Sequence, residues 1–227
     1  WQREHHFMDG VSHELRTPLT VMKGYIETLQ SLDEFSEARF QKPLEQMGQQ
    51  ALRMENLVTD LLWLSRIEAV ETLRKTELID MPMLIKSIVS ELQPAYPERL
   101  IVLNQESDAA IRGDERELHS ALSNLVVNSL KYSDGDVNLA WQSTDDVATF
   151  SVKDTGSGIE PHHLARLTER FYRVDKSRSN AGGGTGLGLA IVKHVANSHQ
   201  AELTIDSTVG VGSCFGLAFP FDAADAL

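Results

Sequence analysis

The stretch MDGVSHELRTPLTVMKGYIETLQSL, from Met8 to Leu32, decides the fold of the first part of the chain. Its apolar residues recur at alternating steps of three and four, the spacing of a heptad seam on an amphipathic helix. The seam consists of Met8, Val11, Leu15, Pro18, Met22, Tyr25, Leu29 and Leu32. The pattern predicts one long helix that packs against other helices through this face.

A second helical run follows the short polar segment 33–37. Its seam consists of Phe40, Leu44, Met47, Ala51, Met54, Val58 and Leu61. A short polar connection between two helices favours an antiparallel hairpin. Two helices cannot enclose a core by themselves, so we expect two copies of the chain to pair as a homodimer that forms a four-helix bundle.

The sequence pattern changes after about residue 72, where strands begin to alternate with helices. Short apolar runs predict strands at 100–103, 137–141, 148–152, 203–205 and 214–219. Helices are predicted at about 81–93, with Asp80 as N-cap and Pro82 in the first turn, at about 114–132 and at about 186–199. We therefore expect an all-α hairpin domain over 1–70 and an α/β domain over 76–221, with the boundary near 69–75.

Composition narrows the class of protein. The 227 residues carry a formal net charge of -12, which argues against direct nucleic-acid binding. The single cysteine, Cys214, cannot form an internal disulfide. No run approaches the roughly 20 apolar residues of a membrane span. The chain begins at Trp1 inside a helical pattern, so we expect a fragment whose only link to a membrane is a missing upstream segment.

His13 lies opposite the first seam, at heptad position f, where an imidazole faces solvent. A neutral imidazole is a nucleophile near neutral pH, and the neighbouring Glu14 could accept the ring proton. Thr17 lies one turn further along the same face. Taken alone, an exposed histidine on a helix is usually only a solvated polar residue. The other seven histidines show no arrangement typical of a metal site.

Four residues of the second predicted helix of the α/β domain share one face: Asn124, Asn128, Lys131 and Tyr132. An asparagine oxygen can coordinate Mg²⁺, a lysine can meet a phosphate, and a tyrosine ring can lie against a base. The opposite face is apolar. Taken alone, such a segment is more often a solvent-facing polar stripe.

Two glycine clusters add to this pattern. Residues 154–159 read Asp-Thr-Gly-Ser-Gly-Ile and follow a predicted strand, so that Asp154 could accept a hydrogen bond from an exocyclic amine such as that of adenine. Residues 182–188 read Gly-Gly-Gly-Thr-Gly-Leu-Gly and run into a helix whose free amides could bind an anion. Arg173 and Lys176 lie between the clusters and suit a lid over phosphates. Each cluster alone could be an ordinary flexible turn.

Together these segments resemble the sensor histidine kinases. Residues 12–18 (SHELRTP) are similar to the H box of that family, 124–132 (NLVVNSLKY) to its N box, 154–159 to its G1 box, 170–175 (RFYRVD) to its F box, and 182–188 to its G2 box. All five occur in the family's order. Residues 167–179 are especially similar to the phosphate-regulon branch of the family. Ser129 departs from the pattern, which has alanine after the second asparagine of the N box.

The resemblance implies a dimerisation and phosphotransfer hairpin followed by an ATP-binding α/β sandwich of the gyrase type, a mixed sheet with helices on one face. It implies that His13 accepts phosphate from ATP, that Glu14 is its acid/base partner, and that Thr17 orients water during dephosphorylation of a response regulator. Asn128 is expected to bind Mg²⁺. The expected nucleotide-binding residues are Asn124, Asn128, Lys131, Tyr132, Asp154, Gly156, Gly158, Ile159, Arg173, Lys176, Gly182, Gly184, Thr185, Gly186, Leu187 and Gly188.

The expected partners are a second copy of the chain and the receiver domain of a response regulator. The expected location is the cytoplasmic face of the bacterial inner membrane. Two alternatives stay open: a phosphatase-dominant protein that barely phosphorylates itself, and an ATP-gated dimer that only transmits conformational change. A gyrase-type or mismatch-repair-type ATPase fits the acidic chain poorly, because such a protein tends to carry a basic DNA-binding surface.

Overall fold

The computed structural model describes residues 2–30, 37–69, 76–174 and 184–220. These residues form two compact units that divide between Ser65 and Arg66, and Gly184 and Thr185 group with the first unit. The boundary expected at 69–75 stays a prediction, because residues 70–75 lie outside the described part of the chain.

The first unit is built from two long helices, as the heptad seams predicted. Helix α1 spans Gln2–Gln30, and α2 spans Glu37–Ala69. Pro18 lies inside α1 and is buried. The Thr17 hydroxyl donates to the main-chain oxygen of His13 at 3.2 Å, one turn back along the helix. An ion pair between Glu14 of α1 and Arg53 of α2 joins the two helices.

The face of α2 that packs inward is offset along the sequence by about one residue from the seam that the heptad spacing predicted. Leu57 is buried, whereas Leu44 and Val58 of that seam are 55% and 44% exposed. Within one chain α2 has only α1 as a helical neighbour in this unit, so a full bundle seam cannot be buried. Further exposed apolar residues of the two helices are Leu19, Val21, Ile26, Leu52 and Leu62. A four-helix bundle formed by two copies of the chain remains a prediction, which a single copy does not test.

The second unit contains a five-stranded mixed sheet with strand order β2-β4-β5-β7-β6. Its strands are β2 Ile101–Gln105, β4 Val137–Ser143, β5 Val147–Lys153, β6 Glu202–Thr208 and β7 Gly212–Pro220. Strands β2 and β4 are parallel, and all other neighbours are antiparallel. Along β4, buried Val137, Leu139 and Trp141 alternate with less buried residues, as expected for a sheet that is covered on one face.

The helices of this unit are α3 Met81–Leu92, α4 Glu115–Tyr132, α5 Pro161–Leu164 and α6 Gly188–Ser198, with a 3-10 turn at Gln93–Ala95. Asp80 caps α3 by accepting a hydrogen bond from the Met83 amide at 2.9 Å, as predicted. Asp114 caps α4 in the same way. All five predicted strands are confirmed: four have somewhat wider bounds, and the strand predicted at 100–103 is shifted to Ile101–Gln105. Within the described ranges, no helix combines the length and the apolar character that crossing a membrane requires.

The sequence analysis missed a second, two-stranded sheet. Strand β1 spans Glu77–Asp80 and pairs antiparallel with β3, which spans Ala110–Gly113. Each strand has four residues. Strands this short carry too few alternations to be recognised from their pattern, and their pairing depends on residues about thirty positions apart.

Candidate functional site

His13 is exposed on α1, in agreement with its predicted heptad position. Its neighbour Glu14 is half-buried, and one of its carboxylate oxygens lies 3.2 Å from Nη2 of Arg53. Thr17 is exposed. His13, the predicted phosphoacceptor, is therefore accessible to a reacting group from outside the helix. Glu14, the predicted acid/base partner, is held against α2.

The polar stripe of α4 lies where the helical spacing placed it. Asn124 and Asn128 are half-buried, and Lys131 and Tyr132 are exposed at the end of the helix. The opposite face carries Leu118, Leu122, Leu125, Val126 and Leu130, each at most 1% exposed. Burial of that face fixes the rotation of the helix, so that the four polar residues remain on one side of it.

The Asp154 side chain is buried at 4% exposure and held rigidly. Its Oδ1 accepts hydrogen bonds from the amides of Gly156 at 2.9 Å and Ser213 at 3.2 Å. Within the described residues, Oδ2 has no hydrogen-bond partner. A carboxylate oxygen that the protein leaves without a donor is a suitable acceptor for an exocyclic amine, which a ligand would supply.

The loop after Asp154 lies tightly against two other segments. A Cβ atom on Gly156 would collide with the main-chain oxygen of Tyr132, and one on Gly158 would collide with that of Thr208. Gly158 also has a φ of +68°, a left-handed conformation that favours glycine. These contacts join the G1-like loop to the end of the N-like helix and to the turn between β6 and β7.

Sequence reasoning missed two serines that support this loop. The Ser207 hydroxyl accepts a hydrogen bond from the Ile159 amide at 2.8 Å. It also lies 3.1 Å from the Gly212 carbonyl oxygen and 2.9 Å from the Ser213 hydroxyl. All its hydrogen-bonding capacity is used if it donates to Gly212 and accepts from Ser213. Nothing in the sequence distinguishes Ser207 from an ordinary strand residue, because its partners come from another segment.

The G2-like segment contacts both the N-like helix and the F-like segment. A Cβ atom on Gly188 would come within 2.6 Å of the Asn124 side-chain oxygen, and one on Gly186 within 2.8 Å of the Phe171 Cα atom. The Phe171 amide donates to the Gly186 carbonyl oxygen at 2.9 Å. Leu187 is fully buried. The N-cap residue of α6, Leu187, supplies no side-chain cap to the helix. The amides of a helix N-terminus can bind an anion.

The remaining predicted site residues are only partly placed. Lys176 and Gly182 lie outside the described residues. Gly184 and Thr185 group with the helical hairpin and not with the second unit. Arg173 is half-buried, and its Nε atom is buried without a hydrogen-bond partner among the described residues.

Three other titratable side chains of the second unit, those of His199, Cys214 and Arg166, interact with neighbouring residues. His199 Nε2 accepts a hydrogen bond from the Asp114 amide at 3.1 Å, which ties the end of α6 to the start of α4. Burial, followed by the nearby Asp206 carboxylate, raises the pKa of the Cys214 thiol. A hydrogen bond with Glu169 raises the pKa of the Arg166 guanidinium. Across the described ranges, no group of three or more histidine, cysteine or acidic residues could hold a metal ion.

Two family models match the chain in the order in which its units occur. Residues 3–70 match the His Kinase A (phospho-acceptor) domain. Residues 113–223 match the histidine kinase-, DNA gyrase B-, and HSP90-like ATPase domain. The chain belongs to the sensor histidine kinases. The helical hairpin and the mixed α/β sheet are the two-domain fold expected of that family.

Sensor kinases with similar sequences include two phosphate regulon sensor proteins PhoR. The protein of Pseudomonas aeruginosa is 47% identical over 225 residues, which cover 97% of this chain and 51% of the relative. The protein of Haemophilus influenzae is 38% identical over 223 residues, which cover 94% of this chain and 51% of the relative. The chain thus spans about half the length of the curated relatives it matches.

Solved histidine kinases have similar structures. AdeS of Acinetobacter baumannii matches with a TM-score of 0.70 at 21% identity, over 92% of this chain and 98% of the AdeS chain. Full-length ShkA in complex with AMPPNP matches with a TM-score of 0.68 at 27% identity, over 96% of this chain and 46% of ShkA. At 21% identity, the AdeS likeness establishes the fold alone.

Proposed function

We propose that this chain is the kinase part of a sensor protein and transfers the γ-phosphoryl group of ATP to His13. The observation that carries the proposal is the convergence of four separate segments around the buried Asp154 carboxylate and the uncapped start of α6. An exposed imidazole on the hairpin supplies the acceptor. The AMPPNP bound by ShkA supports a nucleotide as the ligand.

The roles of the nucleotide-binding residues follow from their chemistry. Asp154 Oδ2 would accept a hydrogen bond from the adenine amine, and the exposed Tyr132 ring would lie against the base. Lys131, Arg173 and Lys176 would neutralise phosphate charge, together with the amides at Gly186 and Gly188. The Asn128 side chain is half-buried and has no hydrogen-bond partner among the described residues. Its oxygen would hold Mg²⁺, which neutralises phosphate charge when bound.

In the proposed reaction a His13 ring nitrogen attacks the γ-phosphorus in line, the bond to the β,γ-bridging oxygen breaks, and ADP leaves. Glu14 would accept the proton from the other ring nitrogen as positive charge develops on the imidazole. The protein's contribution is mainly positioning and charge neutralisation. Phosphohistidine would then transfer its phosphoryl group to an aspartate of a response-regulator receiver domain.

Further features of the proposal concern partners and regulation. The exposed apolar residues of α1 and α2 support pairing of two copies in a four-helix bundle. Thr17, one turn from His13, would orient water for hydrolysis of the phosphorylated regulator. The similarity to PhoR proteins over nearly the whole chain supports a role in phosphate regulation.

The direct test is incubation of the chain with γ-labelled ATP and Mg²⁺. We expect label that is lost in acid and retained in base, as phosphohistidine is, and no label in His13→Ala. The matched control is His119→Ala, which removes a half-exposed histidine of α4 that pairs with Glu91 and is outside the proposed site. Acid-stable label, or equal labelling of His13→Ala, would contradict the proposal.

A further inference from the structure

Arg53 of α2 is the described residue that contacts the carboxylate next to His13. Its Nη2 atom lies 3.2 Å from Oε2 of Glu14, within hydrogen-bond distance. The two residues are 39 positions apart in sequence, so the contact exists only because the chain folds back on itself. Among the described residues, the Glu14 side chain has no other hydrogen bond or ion pair.

The pair lies at one level of the hairpin. Glu14 is 16 residues before Gln30, the last residue of α1, and Arg53 is 16 residues after Glu37, the first residue of α2. Because both helices rise by the same amount per residue, an antiparallel hairpin with a short connection brings equally distant positions side by side. The contact is therefore a consequence of the positions of the two residues along the helices.

Arg53 and Glu14 form a part-buried ion pair and not an exposed one. The side chains of Arg53 and Glu14 are only 14% and 24% exposed. Charges that are this far removed from water are weakly screened and restricted in rotation, whereas exposed pairs contribute little. Truncation of the arginine would leave a part-buried carboxylate without its cation.

We propose that Arg53 is a positioning residue for phosphorylation of His13, acting through Glu14. The guanidinium fixes the orientation of the carboxylate that accepts the imidazole proton. This inference rests on the proposed function, since it assumes that Glu14 is the proton acceptor. Among the described residues, Arg53 makes no hydrogen bond to His13, and it belongs to none of the segments that form the proposed nucleotide site.

The test measures the initial rate of His13 labelling against ATP concentration for Arg53→Met, Arg53→Lys, Glu14→Gln and the double variant Arg53→Met/Glu14→Gln. We expect Arg53→Met to lower kcat by about tenfold or more, because misplacement of a proton acceptor slows the chemical step. The KM for ATP should stay within about twofold, and Arg53→Lys should restore part of the rate. Lys42→Met, which removes an exposed cation of the same helix, is the control and should behave as wild type.

The double variant separates positioning from a general structural effect. If Arg53 acts through Glu14, then Arg53→Met should cause little further loss of kcat in the Glu14→Gln background. A multiplied loss, an unchanged kcat in Arg53→Met, or a loss that appears in KM would overturn the inference while leaving the proposed function intact. Wild-type protein that is not labelled at His13 would overturn both. Thermal melting of each variant identifies any that fail to fold. If Arg53→Met fails to fold, Arg53→Lys decides the question: we expect a partial loss of kcat with an unchanged KM, and a loss that appears in KM would overturn the inference.

Discussion

The main chain at Gly156 packs directly against the carbonyl oxygen of Tyr132, leaving no room for a side chain. This contact joins the loop after β5 to the end of α4. Both segments carry residues of the proposed nucleotide site, so their spacing sets the distance between Asp154 and the polar face of α4.

Substitution of Gly156 by alanine should displace this loop, because the colliding atom belongs to the main chain and cannot rotate away. We expect ATP binding to weaken by at least about tenfold and the melting temperature to fall, as measured by titration calorimetry and thermal unfolding. Gly210→Ala is the control: it adds a methyl group to open space at φ +79°, which costs about 1 kcal/mol of stability. Equal ATP affinity in Gly156→Ala and Gly210→Ala would contradict this interpretation.

Substitution of Asp154 by asparagine should affect ATP affinity more than folding. Its Oδ1 can still accept from Gly156 and Ser213, but Oδ2 becomes an amide that can no longer accept from the adenine amine. Loss of a hydrogen bond to a charged group corresponds to about 2 kcal/mol, or roughly thirtyfold in Kd. Asp206→Asn, an exposed carboxylate on β6, should bind ATP like the wild type. A wild-type Kd for Asp154→Asn would exclude this role of Asp154.

Ser207→Ala should weaken ATP binding severalfold, although Ser207 belongs to none of the family's motif segments. The change removes the acceptor for the Ile159 amide and the link to Gly212, so the loop after Asp154 loses one of its attachments to the β6–β7 hairpin. Ser207→Thr keeps the hydroxyl and should retain most of the affinity. The affinity for ATP is measured by calorimetric titration. Equal weakening of ATP binding by Ser207→Ala and Ser207→Thr would show that the hydroxyl is not responsible.

Ser129→Ala should stabilise the protein. The Ser129 hydroxyl is fully buried and has no hydrogen-bond partner among the described residues. Its removal relieves a desolvation cost of about 1 kcal/mol, which corresponds to a rise in melting temperature of about 2–4 °C. Ser198→Ala is the contrasting control, since that hydroxyl donates to Glu117 at 3.1 Å, and its loss should lower stability. A lower melting temperature for Ser129→Ala would mean that its hydroxyl has a partner in solution.

Val58→Glu should weaken the proposed dimer. Val58 is 44% exposed and shares a predicted seam with Leu44, so both would be buried if a second hairpin packs against this one. An unpaired charge in such an interface costs several kcal/mol, enough to reduce association by about a hundredfold or more. Gln49→Glu adds the same charge at another exposed position of α2 and should leave the dimer intact. Sedimentation at several concentrations tests this, and an equally tight Val58→Glu dimer would place the interface elsewhere.

The sequence by itself determined the elements with long, regular patterns. The heptad spacing predicted α1 and α2 and the exposure of His13, and helical spacing placed Asn124 and Asn128 on one face of α4. These predictions succeeded because side-chain direction in a helix follows directly from position in the chain. Asp80 was recognisable as a cap for the same reason, since a cap and its amides are close in sequence.

Only the tertiary structure decided which distant residues meet. The pairing of β1 with β3, the support of the Asp154 loop by Ser207 and Ser213, and the ion pair between Arg53 and Glu14 each join segments that are remote in sequence. Such contacts depend on how burial of apolar faces orients whole elements, which local pattern does not specify. For the same reason, the sequence identified His13 and Glu14 as a pair, whereas the arginine that holds Glu14 became visible only once the two helices lay side by side.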